Sequence, residues 1–109
     1  MNQYAYDPDP ENAALQATLD EMSRPLPRAV LRELATGAPL MSGELAEACG
    51  AHQHAVLYTL RRLERLGLVT ADHPPATRVG RRVHYRADQA RLRGMLDAVH
   101  SYLLERAPA

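Results

Sequence analysis

The chain has 109 residues, 46% of them apolar, and a formal net charge of zero at neutral pH. That length holds one domain around one core, and the apolar share is too high for a disordered polymer. No apolar run approaches the ~20 residues of a membrane span, the start is polar and acidic, and the single cysteine, Cys49, excludes an internal disulfide or a multi-cysteine zinc site within one chain.

A soluble, cytoplasmic protein is therefore expected. The zero net charge hides a strong asymmetry. Residues 1–23 carry five acids (Asp7, Asp9, Glu11, Asp20, Glu21) and no base, while all thirteen bases lie beyond them and all are arginine. Between Arg61 and Arg93 there are nine arginines and three acids, a local charge of +6. Such a patch draws a protein to phosphates. The exclusive use of arginine says less, because a GC-rich coding sequence produces it too.

Residues 1–10, with Pro8 and Pro10 among acids, read as a flexible acidic tail, and residues 11–109 as a single domain. Ala14, Leu15, Leu19 and Met22 recur at helical spacing and predict a first helix over residues 11–22, ended by the proline-rich stretch 23–27. A second helix, residues 27–35, buries Val30, Leu31 and Leu34 and stops at Gly37 and Pro39. Ser42 stands as N-cap of a short third helix reaching Cys49, with Glu44 and Glu47 favouring its start. Gly50 breaks that helix, and a fourth follows at once over residues 53–66, closed by Gly67. The period then changes. Residues 68–71 and 83–86 are short strands, joined into a hairpin by a proline- and arginine-rich loop, residues 73–82. A last helix over residues 88–106 aligns Leu92, Met95, Leu96, Val99 and Leu103. The fold is thus mainly α with a small β-hairpin, in the order α-α-α-α-β-β-α.

Two helices joined through a short glycine-containing turn form a helix-turn-helix unit, whose second helix lies in the DNA major groove. With Val56, Leu60 and Leu63 turned inward, His54, Tyr58, Arg61 and Arg65 face outward, flanked by Leu57 and Arg62. Gln53, His54, Leu57 and Tyr58 are the expected base contacts: glutamine can hold an adenine edge with two hydrogen bonds, and neutral His or Tyr can donate or accept. Ser42, Arg61, Arg62 and Arg65, with Arg78, Arg81 and Arg82 of the basic hairpin, are the expected DNA-backbone contacts, which fix register without reading sequence. Catalysis finds no support. One cysteine and five scattered histidines, without a glycine-rich phosphate loop, assemble no nucleophile with a base, and no cofactor is implied.

Leu15, Leu19 and Met22 of the first helix join Leu92, Met95, Leu96, Val99, Tyr102 and Leu103 of the last. Together they exceed what so small a core can cover, which predicts a homodimer. Two-fold-related reading helices about one DNA turn apart would read a palindromic operator. The alternative is a winged-helix protein-interaction module, in which the acidic tail and apolar helices hold a protein partner and DNA binding is lost. The arginines between 61 and 93 favour DNA.

Pro27-Arg28-Ala29-Val30-Leu31-Arg32-Glu33-Leu34, Ser42-Gly43-Glu44-Leu45-Ala46, Val56-x-x-x-Leu60-x-x-Leu63-x-x-x-Gly67-Leu68-Val69 and Gly80-Arg81-x-Val83-x-Tyr85 resemble the ArsR-type winged helix-turn-helix repressors over about residues 27–86. The stretch around Gly67 is shared with the MarR and PadR types; the short chain and the Gly-Arg-x-Val-x-Tyr wing favour ArsR. The resemblance implies a DNA-binding repressor and raises metal sensing, which many members perform. One family site uses paired cysteines in the third helix, where this chain has only Cys49 at the end. Another uses ligands on the last helix, where Asp97 and His100 alone stand one turn apart. No metal site is expected from so few ligands. Cys49 reads as a small buried hydrophobe beside a turn rather than a redox switch. His52 stands where the family usually has a Ser or Thr cap.

Overall fold

The computed structural model describes the backbone of residues 10–105 and the side chains of residues 13–105. The predicted acidic tail, apart from Pro10, lies outside the described residues, as does Arg106. Helices α1 (Pro10–Met22), α2 (Pro25–Leu34), α3 (Ser42–Cys49), α4 (Gln53–Arg65) and α5 (Gln89–Leu104) alternate with strands β1 (Leu40–Met41), β2 (Val69–Ala71) and β3 (His84–Ala87). The expected fold class holds.

Helical periodicity places the core. Pro27, Val30, Leu31 and Leu34 form the buried stripe of α2, Leu45 and Ala46 that of α3, and Val56, Thr59, Leu60 and Leu63 that of α4. Leu68, Val69 and Tyr85 close the core from the sheet side. Val30, Leu45, Val56, Leu60, Leu63 and Leu68 retain no solvent exposure.

Several local expectations are corrected. Helix α2 begins at Pro25 rather than Pro27, because a proline in the first turn lacks only an N–H that would have no helical partner. Leu40 and Met41, not expected as a strand, pair antiparallel with β3 in the register Leu40↔Tyr85 and Met41↔His84. The sheet is therefore three-stranded, in the order β1-β3-β2. Met41, not Ser42, occupies the cap position of α3, and its backbone N–H donates to Glu44 Oε1 at 2.9 Å. His52 does cap α4, with Nδ1 accepting from the His54 N–H at 3.2 Å.

Two glycines set the ends of the helix pair. Gly50, at φ +63°, turns the chain between α3 and α4, and the following Ala51 N–H returns to the Ala46 carbonyl at 2.9 Å. Gly67, at φ +74°, ends α4, with Leu68 N–H bonded to the Leu63 carbonyl at 2.9 Å. Here space matters as well as dihedral freedom. Arg91 of α5 lies against Gly67 and donates from Nε to the Leu66 carbonyl at 2.7 Å, and a Cβ on residue 67 would sit 2.6 Å from that Nε. Gly67→Ala therefore strains the backbone and dislodges Arg91, and is expected to cost about 1–3 kcal/mol, read as a lower urea midpoint at unchanged slope.

Candidate nucleic-acid interface

The outer face of α4 follows from the burial of its inner face. With Val56, Thr59, Leu60 and Leu63 committed to the core, Gln53, His54, Tyr58, Arg61 and Arg65 are exposed and Leu57 is half-buried. The hairpin between β2 and β3 forms a wing beside this helix. At its base Asp72 N–H donates to the His84 carbonyl at 3.0 Å, and His84 N–H donates to Asp72 Oδ1 at 2.9 Å. That backbone hydrogen bond holds the Asp72 carboxyl below its ordinary pKa of 3.8. The wing loop is shaped by a short 3₁₀ turn, Pro75–Thr77, and by Arg81 N–H bonded to the Arg78 carbonyl at 3.0 Å.

Between α4, the start of α3 and the wing lies a groove of about 610 Å³. It brings together seven of the residues expected from sequence: Ser42, Gln53, Leu57, Arg61, Arg78, Arg81 and Arg82. Gln53 Nε2 donates to Ser42 Oγ at 3.1 Å, which joins the first residues of α3 and α4. Arg81 and Arg82 are exposed on the wing, next to Val79, which is 96% exposed at its tip. His54 and Tyr58 stand on the open face of α4 outside the groove lining; Tyr58 is 61% exposed, and the Arg61 guanidinium lies 5.8 Å from its ring centre. The His52 and His54 rings stack at 5.3 Å.

Two expected contacts are already engaged inside the protein. Arg62 turns back from the open face: its Nε donates to both carboxylate oxygens of buried Glu21 at 3.1 Å, and its Nη2 to Thr59 Oγ1 at 3.2 Å. Arg24 adds a second ion pair to Glu21. Arg78 binds Glu64 of α4 through both terminal nitrogens, at 2.9 and 2.7 Å, and Nε donates to the His73 carbonyl at 2.8 Å. The Glu64 hydrogen bonds push the Arg78 pKa further up, so this guanidinium stays charged. Among the described residues the side chains of Arg61, Arg65, Arg81 and Arg82 make no hydrogen bond or ion pair within the chain. Sequence reasoning missed Gly43, Val79 and Val83 in the groove and the partner Glu64. The signal for Glu64 was its rarity, as one of only three acids in the segment from Arg61 to Arg93.

The residues expected at a dimer surface lie on α1 and α5, outside the groove lining. Met22 and Leu92 pack partly against the core and Leu15, Met95 and Val99 are half-buried, whereas Leu19, Leu96, Tyr102 and Leu103 are exposed. No residue of α5 is fully buried. Cys49 is half-buried, and burial, with a smaller contribution from Glu33, pushes its thiol pKa up. Among the described residues no group of three or more His, Cys, Asp or Glu could hold a metal ion, and no helix is long and apolar enough to cross a membrane.

These elements, a helix-turn-helix pair followed by a wing on a three-stranded sheet, define a winged helix-turn-helix protein. Residues 22–71 match a helix-turn-helix domain family. The chain is 36% identical over 85 residues to the HTH-type transcriptional regulator NmtR of Mycobacterium tuberculosis (strain ATCC 25618 / H37Rv). That match covers 78% of this chain and 66% of the relative, so the chain spans just under two thirds of the relative's length. An ArsR-like transcriptional regulator from Rhodococcus sp. RHA1 superposes with a TM-score of 0.71 at 24% identity, over 87% of this chain and 84% of that one. The homodimeric winged helix-turn-helix DNA-binding domain of Mb0332 from Mycobacterium bovis superposes with a TM-score of 0.58 at 23% identity, over 97% and 99%. The chain is thus similar in sequence to an HTH-type transcriptional regulator and in fold to ArsR-like winged helix-turn-helix regulators.

The Glu21 network carries its own test. Glu21→Gln keeps the side-chain shape but removes the charge that holds Arg62 and Arg24. It is expected to cost about 1–3 kcal/mol in thermal or urea unfolding. An unchanged midpoint would show that Arg62 does not depend on Glu21.

Proposed function

We propose that the protein is a dimeric repressor that binds double-stranded DNA at a palindromic operator. The observation that carries this reading is the cationic groove between α4 and the wing, rimmed by Arg61, Arg81 and Arg82 with no acid opposing them in its lining. An α-helix with an exposed hydrogen-bonding face fits the major groove, and a basic wing fits the adjacent backbone or minor groove. Gln53, His54, Leu57 and Tyr58 read bases, the leucine through apolar contact of the kind a thymine methyl offers. Ser42, Arg61, Arg65, Arg81 and Arg82 hold phosphates. Arg62 and Arg78, engaged by Glu21 and Glu64, serve the interface from inside the protein.

Dimerisation rests on the exposed apolar residues Leu19, Leu96, Tyr102 and Leu103 on α1 and α5. Leu15, Met22, Leu92, Met95 and Val99 continue that surface inward. An unpartnered stripe of this kind is buried by a two-fold copy, and the Mycobacterium bovis neighbour is homodimeric. Two copies would place their reading helices about 34–36 Å apart, one turn of DNA. Occupying a promoter in this way excludes other proteins, hence repression.

A salt series on duplex DNA tests the proposal. Four phosphate-holding arginines per protomer predict a slope of log affinity against log salt of about −7 for the dimer. Arg81→Ala with Arg82→Ala should weaken all duplexes alike and make the slope shallower by about 3.6. Tyr58→Ala should change sequence preference instead. No binding to any duplex at low salt would overturn the DNA assignment, and an unaltered preference after Tyr58→Ala would remove Tyr58 from the readers.

A further inference from the structure

The wing's attachment to α4 is narrow. From Asp72 to His84 its hydrogen bonds are local: Asp72 with His84 at the base, Thr77 N–H to the Pro74 carbonyl at 3.0 Å, and Arg81 N–H to the Arg78 carbonyl at 3.0 Å. Bonds of this kind shape the hairpin but do not orient it. Among the described residues, the one hydrogen-bonded link from the loop to α4 is the Arg78–Glu64 pair. Its geometry is two-pronged, with Nη1 to Oε1 at 2.9 Å and Nη2 to Oε2 at 2.7 Å, which restrains angle as well as distance. The third donor of the guanidinium, Nε, holds the His73 carbonyl at the start of the loop, and the guanidinium carbon lies 5.9 Å from the ring centre of Tyr85 on β3. One side chain thus ties the reading helix, both sides of the loop and a wing strand. The pair is mostly sheltered, with side-chain exposures of 17% for Arg78 and 21% for Glu64, so solvent screens it less than an open surface pair.

We infer that Glu64 and Arg78 are positioning residues that fix the wing against the reading helix before DNA arrives, and so set which spacing of major-groove and backbone contacts the protein accepts. The inference rests on the DNA-binding function proposed above. Its consequence runs against simple electrostatics. Glu64 is an acid on the helix proposed to face phosphates, and long-range attraction alone predicts that neutralising it would tighten binding. If Arg78 were instead a phosphate contact restrained by Glu64, the same substitution would release it and again tighten binding. A positioning role predicts the opposite sign, because the freed wing must be ordered at the moment of binding.

The test uses the full chain carrying Glu64→Gln or Arg78→Lys. The lysine variant keeps the charge but cannot make the two-pronged bond. Without DNA, amide hydrogen exchange at Thr77 and Arg81 should speed up roughly tenfold or more in both variants, while exchange in the core of α4 stays as in the wild type. With duplex present, both variants should bind roughly tenfold more weakly, and the Glu64→Gln salt slope should shift toward that of the Arg81→Ala, Arg82→Ala protein. Unchanged exchange in the wing, or tighter duplex binding by Glu64→Gln, would overturn the inference. If Glu64→Gln also loses protection in α4, the Arg78→Lys wing amides decide alone. A wild-type protein that binds no duplex would refute the proposed function, while the exchange comparison would still decide whether the pair holds the wing.

Discussion

The structure depends on the burial of one face of α4. Val56, Leu60 and Leu63 have no solvent exposure, and they pack against the stripes of α2 and α3 and against Leu68. Burying each of these side chains is worth about 1.5–3 kcal/mol, far more than any single exposed polar contact on the other face. The helix therefore cannot roll, and its remaining residues are presented outward whether or not a ligand is there. Its ends and back are held too. His52 caps the first turn, Arg91 of α5 holds the Leu66 carbonyl, and Glu21 of α1 draws Arg62 toward the core. Both helices proposed to form the dimer thus touch α4 through an arginine bond, which in the proposed dimer would tie the spacing of the two α4 helices to how the copies pack.

The charges sort by the same logic. Each of the three acids between Arg61 and Arg93 has a definite structural partner. Glu64 holds Arg78, Asp72 closes the wing base through the His84 N–H, and Asp88 caps α5 by accepting from the Arg91 N–H at 3.0 Å. The Asp72 contact has a pH sign. Because its folded pKa lies below the ordinary value of 3.8, its contribution is fully present at neutral pH and is lost as pH falls through that lowered value. Among the arginines of this segment, Arg86 donates to the Gly37 carbonyl at 3.0 Å and Arg91 to that of Leu66, so the cationic surface is left to Arg61 and Arg65 on α4 and Arg81 and Arg82 on the wing, with Arg93 apart on α5. A net charge of zero is thus compatible with a phosphate-seeking face.

Much of this was legible in the sequence, because the signals were local. The alternation of apolar residues at three- and four-residue spacing places α2, α4 and α5 to within a few residues, and Gly50 and Gly67 mark the helix ends through their required backbone conformation. What escaped is non-local. Strand β1 is two residues long and exists only because Leu40 and Met41 find β3 more than forty residues away. Glu21 and Arg62 are separated by 41 positions and Glu64 and Arg78 by 14, so no periodicity pairs them. Arg62 and Arg78 looked identical to Arg61 and Arg81 in the sequence. Only the fold separates arginines that face outward from those that hold the scaffold together. The Ser42 cap was a smaller error of one residue, since Glu44 serves the cap through its own side chain.

The outward face of α4 and the wing together form the proposed DNA-binding surface. Amide and side-chain resonances of the full chain, followed by NMR during titration with a bound duplex, test it directly. Salt-sensitive shifts are expected at Ser42, Gln53, Leu57, Tyr58, Arg61, Arg81 and Arg82, with α2 and the buried face of α4 little changed. Shifts concentrated on α1 and α5 with the groove silent would contradict it.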